Sequence, residues 1–247
     1  MSSVTHNARS TGRVEPSRPI AANYSSSNLT IGAGVAIFHL ATERVIVVQH
    51  TRDRYWFLPK GRRNASEDTG RAAEREGFEE SGYRNRLLPL PIEHRQPDDD
   101  GGHQDFVIEP VWTQLLPLTS RVQYLLHWYV AETVPREVEM SYADSGTEIY
   151  RQPDPFPRIG SLRARIAEDV SALEDGTKQI YEPIRHEGTG VDEDELLYKA
   201  HLMPVEEACR KLRGTVQEDV VHRGLEYIQR RIQMEDAAKD STASGAM

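Results

Sequence analysis

The chain has 247 residues, of which 38% are hydrophobic and 28% are charged, and these proportions are typical of one globular domain with tails and insertions. Its formal net charge of −9 argues against broad electrostatic binding to nucleic acid, although it leaves room for a local basic patch. The single cysteine, Cys209, excludes an internal disulfide, and no apolar run reaches the ~18 residues of a transmembrane helix, so we expect a cytoplasmic protein, with the nucleus as an additional location and no contact with a membrane.

The first predicted element is a flexible N-terminal arm, because residues 1–28 are rich in Ser, Asn, Arg and Pro and poor in apolar residues. Three apolar segments that follow the arm are predicted to be strands, over 31–40, 44–50 and 55–58. A loop over 61–68 then leads into a predicted helix over 69–81, with Gly82 as its C-cap.

Further strands are predicted from apolar runs over 83–93, 106–116, 122–131 and 196–203. A polar, turn-rich excursion over 94–103 separates the first two of these and is expected to be solvated. Residues 133–195 have mixed composition, and we interpret them as a partly mobile insertion that contains a helix over 162–173.

Two helices are predicted to close the domain. The first carries Pro204 in its first turn and runs through residue 212, with Cys209 in the core, and the second covers 216–232. A polar tail over 236–247 is expected to be flexible, so that the folded domain spans 29–235.

The most informative stretch runs from Gly61 to Tyr83 and holds six acidic residues in 23 positions. Three of them, Glu76, Glu79 and Glu80, stand at i, i+3 and i+4, which places their carboxylates on one face of the predicted helix. Like charges at this spacing destabilise a helix unless a hard divalent cation lies between them. The spacing therefore indicates a Mg²⁺ or Mn²⁺ site, and an exposed acidic helix is the alternative that involves no chemistry.

The spacing within this stretch resembles the Nudix box of the Nudix hydrolase superfamily, and it fills every charged and glycine position of that box. One position departs, because the residue after Arg75-Glu76 is ordinarily bulky and apolar and here is Gly77. A glycine inside a helix costs about 1 kcal/mol relative to alanine, so we expect Gly77 to mark close packing of the helix on a sheet, with Phe78 filling nearby space. The resemblance implies an α/β fold, the Nudix α/β/α sandwich with a mixed central sheet, here with a long insertion before the last strand.

The resemblance also implies roles for the box residues. Three carboxylates are expected to bind the metal ions and to be catalytic, those of Glu76, Glu79 and Glu80. Glu76 is the first choice for the group that accepts a proton from water, and the backbone carbonyl of Lys60 is expected to be a further metal ligand. Arg75 is expected to pair with Glu67 and so to orient the catalytic helix and its loop.

Members of this superfamily often add a metal-binding acid from outside the box. The candidates in this chain are Glu132, Glu193 and Glu195, each of which is otherwise a plain surface acid.

Basic residues on both sides of the box glycine indicate how a polyphosphate is held, because arginine binds phosphates bidentately. Four of them are predicted to bind substrate, Arg54, Lys60, Arg62 and Arg63. His50 and Arg52 share a face with Arg54 if the chain is extended there, and a solvated loop is the alternative. Trp56 or Tyr55 is the candidate to stack on a base, although aromatic residues in a short strand are more often core.

Two subfamilies fit the segments around the box. YWFLPKGR, with Pro-Lys-Gly entering the box, and MPVEEACRKL resemble the diadenosine polyphosphate hydrolases, whereas the diphosphoinositol polyphosphate phosphohydrolases usually enter through Pro-Gly-Gly. The resemblance thus implies a metal-dependent hydrolase of a small-molecule dinucleoside polyphosphate such as diadenosine tetraphosphate, with an inositol pyrophosphate as the alternative substrate. A non-catalytic Nudix binding module is a further alternative, but such modules tend to lose box carboxylates. The acidic balance of the chain disfavours capped RNA.

Overall fold

The computed structural model describes residues 14–97, 102–142, 149–157, 160–172, 177–192 and 195–244. The strands of these ranges are β1 (Leu29–His39), β2 (Arg44–His50), β3 (Trp56–Phe57), β4 (Lys60–Arg62), β5 (Asn85–Leu87), β6 (Trp112–Pro117), β7 (Gln123–Thr133), β8 (Val170–Ala172), β9 (Lys178–Ile180) and β10 (Tyr198–Pro204). The helices are α1 (Thr69–Ser81), α2 (Arg136–Met140), α3 (Leu162–Glu168), α4 (Val205–Lys211) and α5 (Val216–Ser244).

Eight strands form one mixed sheet, in which the order β10-β2-β1-β7-β5 is extended by β3 on β2, β4 on β1 and β6 on β7. β1 and β7 run parallel along nearly their whole length, from Leu29 opposite Gln123 to Phe38 opposite Glu132. The other strand pairs of this sheet are antiparallel. β1 pairs with β4 at its N-terminal half and with β2 at its C-terminal end, so the loop before α1 is attached to the centre of the sheet.

The sheet is covered by helices on both faces, as its strand residues alternate. Ala33, Val35 and Ile37 of β1 join the cluster that contains α1, whereas Ala36 and Phe38 join the cluster that contains α4 and α5. The predicted α/β/α sandwich with a mixed central sheet is therefore confirmed. Cys209 is buried in the second cluster, as expected for a core residue. None of the helices formed by the described residues combines the length and the apolar composition needed to cross a membrane.

Two predicted strands are shorter in the structure, and prolines explain where each of them stops. The strand predicted over 83–93 is regular only over Asn85–Leu87, since Pro89 and Pro91 cannot donate to a ladder. The strand predicted over 106–116 begins after Pro110, at Trp112. Conversely, the predicted loop over 61–68 begins with β4, which pairs with β1.

Two predicted helices end elsewhere. The helix predicted over 162–173 ends at Glu168, because the backbone carbonyl of Asp169 accepts from Tyr181 and the next residues pair as β8 with β9. Residues 236–244, predicted to belong to a flexible tail, continue α5. Glu235 caps the start of α3 through Ser161 and Leu162, and Asp236, the first residue of this extension, pairs with Arg163 of α3 at 2.9 Å. Pro204 is the N-cap of α4 and lies just before its first turn.

The described part of the 133–195 insertion packs into the domain through a buried ionic group. Arg165 of α3 lies 2.7 Å from Glu132 of β7 and 2.9 Å from Asp169, and Arg86 of β5 donates to Glu132 at 2.6 Å. The side chains of Glu132 and Asp169 have no exposed surface. Leu162 is fully buried beside them, so this insertion completes the core at the C-terminal end of β7.

Candidate active site

The acidic helix α1 has the predicted bounds because both of its ends are capped. The Asp68 carboxylate accepts from the Gly70 amide at 2.8 Å, which satisfies a donor of the first turn. Gly82 adopts a left-handed conformation with φ of 78°, and its amide donates to the Phe78 carbonyl at 2.7 Å. The predicted C-cap is confirmed.

Two glycines let α1 approach the sheet and the loop. A Cβ atom at Gly77 would lie 2.6 Å from the Asn85 side chain and 2.9 Å from Val35, so the departure from the box pattern reflects the predicted close packing. A Cβ atom at Gly61 would lie 2.0 Å from Oε2 of Glu76. The box glycine is therefore the residue that allows this carboxylate to lie directly against the β4 backbone.

Arg75 organises the acids on the outer side of the helix. Its guanidinium forms two hydrogen bonds to Glu67, at 3.0 and 2.9 Å, which is the predicted pair. The same group donates to Glu76 Oε1 at 2.8 Å, to Glu79 Oε2 at 2.7 Å and to the Arg62 carbonyl at 2.9 Å. Burial raises the pKa of Glu67, but the hydrogen bonds and charge of Arg75 outweigh this and hold that pKa below its usual value.

A second set of acids converges on the inner side of α1. One carboxylate oxygen from each of Glu76, Glu80 and Glu195 lies within 4.8 Å of the others. Glu80 accepts a hydrogen bond from the Lys60 amide at 2.6 Å, whereas Glu79 faces Arg75 and is not a member of this group.

The environment of these carboxylates disfavours their charge. Burial, followed by repulsion from Glu79 and Glu195, raises the pKa of Glu76 to about 7 against the attraction of Arg75. Burial is also the largest cause at Glu80, and with repulsion from Glu76 and Glu195 it raises the pKa to about 8 despite Lys60. Burial likewise raises the pKa of Glu79. Three converging oxygen donors with excess negative charge fit a hard divalent cation.

A cavity of about 970 Å³ opens over this acidic group. Of the predicted substrate residues, Lys60, Arg62 and Arg63 line it. Its wall also contains residues that no sequence motif marks, among them Ser26, Asn64, Tyr124, Val191, Asp192 and Tyr198. Tyr124 donates to the Gly61 carbonyl at 2.8 Å, a contact that follows only from the parallel pairing of β7 with β1.

The structure places Arg54 and Trp56 away from this cavity, whose described lining includes neither. Arg54 is exposed in the turn between β2 and β3. Trp56 faces the other side of the sheet, where its ring lies 5.1 Å from His201 and 4.6 Å from the Lys211 ammonium group. The predicted stacking residue Trp56 therefore lies away from the cavity, because strand alternation directs its neighbour Phe57 towards the α1 face instead.

An aromatic group does reach the cavity from that α1 face. Phe57 packs edge-on against Tyr198, which lines the cavity, at 4.9 Å between ring centroids. The buried His50 ring stacks on Tyr55 at 5.0 Å and lies 5.7 Å from Tyr198. His50 is consequently part of an aromatic group, and Arg52 is an exposed turn residue.

The three candidate acids from outside the box have different surroundings. Glu195 joins the acidic group of α1. Glu132 lies away from this group, buried between Arg86 and Arg165 at the far end of β7. Glu193 lies outside the described residues.

Comparison with known proteins gives one family. A family model described as the NUDIX domain matches residues 29–147, and a comparison with curated proteins finds no match. Among solved structures, the chain is similar to a NUDIX hydrolase from Nitrosomonas europaea, with 12% identity and a TM-score of 0.39 over 79% of this chain and 87% of that chain. It is also similar to a NUDIX-family hydrolase from Clostridium perfringens, with 15% identity and a TM-score of 0.38 over 81% of this chain and 96% of that chain. TM-scores this low carry no argument, so the domain match is the informative finding.

Proposed function

We propose, from the match of residues 29–147 to the NUDIX domain, that this chain is a Nudix hydrolase and that it hydrolyses a pyrophosphate bond in a dinucleoside polyphosphate such as diadenosine tetraphosphate. The observation that carries the proposal is the convergence of the carboxylates of Glu76, Glu80 and Glu195 beneath a cavity with a basic wall. Neighbouring carboxylates that are largely buried destabilise a fold unless a cation binds between them, and this supports an enzyme over a binding module.

Mg²⁺ or Mn²⁺ is the proposed cofactor, because both ions prefer carboxylate oxygens. When bound, such an ion neutralises phosphate charge and acidifies the attacking water. Glu76, Glu80 and Glu195 would hold it, with the Lys60 carbonyl as a further proposed ligand. Glu79 would act from the edge of the site, through its contact with Arg75.

The chain's own residues fix the geometry of the reaction. Arg75 holds Glu76 Oε1, and Oε2 of the same carboxylate lies against the Gly61 backbone, so Glu76 has a fixed orientation from which to accept a proton. Lys60, Arg62 and Arg63 line the cavity and would bind the phosphate chain through charge-assisted hydrogen bonds.

A dinucleoside substrate also needs a surface for a base. Tyr198 is the proposed stacking residue, because it lines the cavity and is supported by Phe57 and His50. An inositol pyrophosphate offers no base, so this residue separates the two substrate classes.

Competition in one vessel tests the substrate. Equal concentrations of diadenosine tetraphosphate and an inositol pyrophosphate of similar charge are incubated with Mg²⁺ and the wild type, and both are followed over time. We expect diadenosine tetraphosphate to be consumed first, Tyr198→Leu to erode that preference, and Trp56→Leu to leave it unchanged. Preferential consumption of the inositol compound would overturn the dinucleoside assignment. If the protein hydrolysed neither substrate, and no nucleoside triphosphate either, the result would favour the binding module.

A further inference from the structure

Glu195 reaches the acidic group from the end of the insertion, through a segment that crosses the C-terminus of α1. We call this segment the strap and define it as residues 185–192 together with 195–197. The His186 amide donates to the Gly82 carbonyl at 2.8 Å, and the adjacent residues Tyr83 and Arg185 form an isolated bridge. A Cβ atom at Gly82 would lie 2.1 Å from the His186 carbonyl oxygen, so the two backbones are in direct contact.

The side chains of the strap strengthen this attachment. The buried Thr189 hydroxyl donates to the Glu79 carbonyl at 2.9 Å, and this carbonyl belongs to the last turn of α1, where helices leave acceptors without partners. His186 contacts the buried Glu139 carboxylate at 2.6 Å, and the Arg84 guanidinium lies 3.3 Å from the same oxygen. The strap thus binds the box helix directly and through α2.

The strap is also fixed beyond Glu195. The amide and hydroxyl of Thr51 both donate to the Leu197 carbonyl, each at 2.8 Å. Glu195 therefore lies between one attachment to α1 and another to the turn after β2. Two attachments at this spacing restrict the positions that the intervening acid can adopt.

Contacts inside the strap orient the Glu195 side chain itself. The Val191 amide donates to its carboxylate, and its own amide donates to Asp192 at 3.0 Å. A Cβ atom at Gly190 would lie 2.8 Å from the Glu195 Cβ and 3.3 Å from its Oε2. Any residue larger than glycine at position 190 would therefore displace the acid.

We propose that the strap positions Glu195 for metal binding, that Thr189 and Gly190 are the positioning residues, and that completing the metal site is a role of the 133–195 insertion. This rests on the proposed function, because it concerns the same site. The proposal goes beyond that function because it assigns part of the metal affinity to two residues, Thr189 and Gly190, that are not metal ligands.

Mn²⁺ binding to metal-stripped protein, measured by electron paramagnetic resonance, tests the strap without relying on turnover. We compare the wild type with Glu195→Gln, Gly190→Ala, Thr189→Val and the double variant Gly190→Ala/Glu195→Gln. Thr113→Val is the matched control, because it removes a hydroxyl that contacts His127 on β6–β7, outside the cavity lining.

We expect Glu195→Gln and Gly190→Ala each to weaken Mn²⁺ binding about 10-fold or more, and Thr189→Val by a smaller factor, as residues that orient metal ligands do. The double variant should bind no more weakly than Glu195→Gln, because Gly190 acts through that acid. Thr113→Val should bind as the wild type does.

Two results would overturn the role of the strap: wild-type affinity in both Gly190→Ala and Thr189→Val, or losses that add fully in the double variant. If the wild type bound no Mn²⁺ at all, both the proposed function and the role of the strap would be wrong. If Gly190→Ala did not fold, Thr189→Val would decide the question, since valine preserves the shape of threonine.

Discussion

Buried acids lie at both ends of the β1–β7 pair, and their partners differ. At the C-terminal end, Glu132 and Asp169 are enclosed with the guanidinium groups of Arg86 and Arg165. At the N-terminal half, within the described part of the chain, the buried Glu80 and the half-buried Glu195 form no ion pair with a lysine or arginine side chain. The protein balances the first set of negative charges, whereas in the second set only Glu76 has an arginine partner, Arg75.

The difference distinguishes a structural use of acids from a chemical one. A buried carboxylate with its own arginine contributes to the fold and has little capacity for a further cation. Burial raises the pKa of Glu76 to about 7 and of Glu80 to about 8, and repulsion from neighbouring carboxylates adds to it. Burial raises the pKa of Glu132 as well, but there the charges of Arg165 and Arg86 oppose it. Acidity alone thus indicates little, whereas acidity without an internal partner indicates a site.

The largest effect is expected at the balanced end. Glu132→Gln removes the partner of two buried arginines, and breaking such a group destabilises a protein by about 3–5 kcal/mol. Urea denaturation of the metal-free protein measures this loss. Glu80→Gln, the matched change at the other end, should leave the metal-free protein as stable as the wild type or more stable, and an equal loss in both variants would remove the distinction.

Activity, unlike stability, should depend mainly on the acids around α1. Glu80→Gln is expected to lower kcat about 100-fold or more, because an amide keeps the shape of the side chain but loses anionic ligation of a hard cation worth several kcal/mol in the transition state. Glu79→Gln should also lower kcat, but less, since Glu79 faces Arg75. Exposed Glu226 on α5 provides the control, Glu226→Gln. A near-wild-type kcat for Glu80→Gln at saturating Mg²⁺ would be inconsistent with the site.

A smaller effect is expected where α1 meets the sheet. Gly77→Ala introduces a Cβ atom within 3 Å of both Asn85 and Val35. Overpacking costs about 1–3 kcal/mol, and the better helix propensity of alanine recovers about 1 kcal/mol, so we expect a net loss of about 1–2 kcal/mol. Urea denaturation measures this loss. A Gly77→Ala variant more stable than the wild type would show that α1 does not pack closely on the sheet at this position.

The smallest effect is a pH dependence of the metal-free protein. Glu76 and Glu80 have folded pKa values of about 7 and about 8, above the ordinary value of 4.5 for glutamate, so the folded state binds more protons than the unfolded state between about pH 4.5 and 8. Their contribution to the free energy of unfolding should therefore fall as the pH rises through that window. Melting curves of the wild type and Glu80→Gln measure it, and the variant should show the weaker dependence. An identical pH dependence in both proteins would argue against a raised pKa at Glu80.

Much of the fold and of the site follows from the sequence. Asp68 and Gly82 define the ends of α1, and the spacing of Glu76 and Glu80 places both on one face of it. The sequence does not show that Glu79 is oriented differently from Glu76 and Glu80, because its carboxylate is held by a hydrogen bond from Arg75 that only the structure shows.

The remaining site residues depend on long-range pairing that no local pattern records. Tyr198 reaches the cavity only because β10 pairs with β2, and Tyr124 only because β7 lies parallel to β1. Trp56 and Phe57 are adjacent and equally aromatic, so no local pattern indicates which one faces α1. Glu132 and Glu195 are likewise indistinguishable until the fold shows that Glu132 lies between two arginines, whereas Glu195 lies beside Glu76 and Glu80.

The most direct test of whether Glu76, Glu80 and Glu195 bind a cation is calorimetric titration of the metal-stripped protein with Mn²⁺ at pH 7. The titration is done in two buffers of different ionisation enthalpy. The raised pKa values predict saturable binding with release of protons, and Glu80→Gln should weaken the binding and reduce the release. Saturable binding that is unchanged in both Glu80→Gln and Glu195→Gln, or no binding to the wild type, would contradict the assignment of Glu76, Glu80 and Glu195 as the metal site.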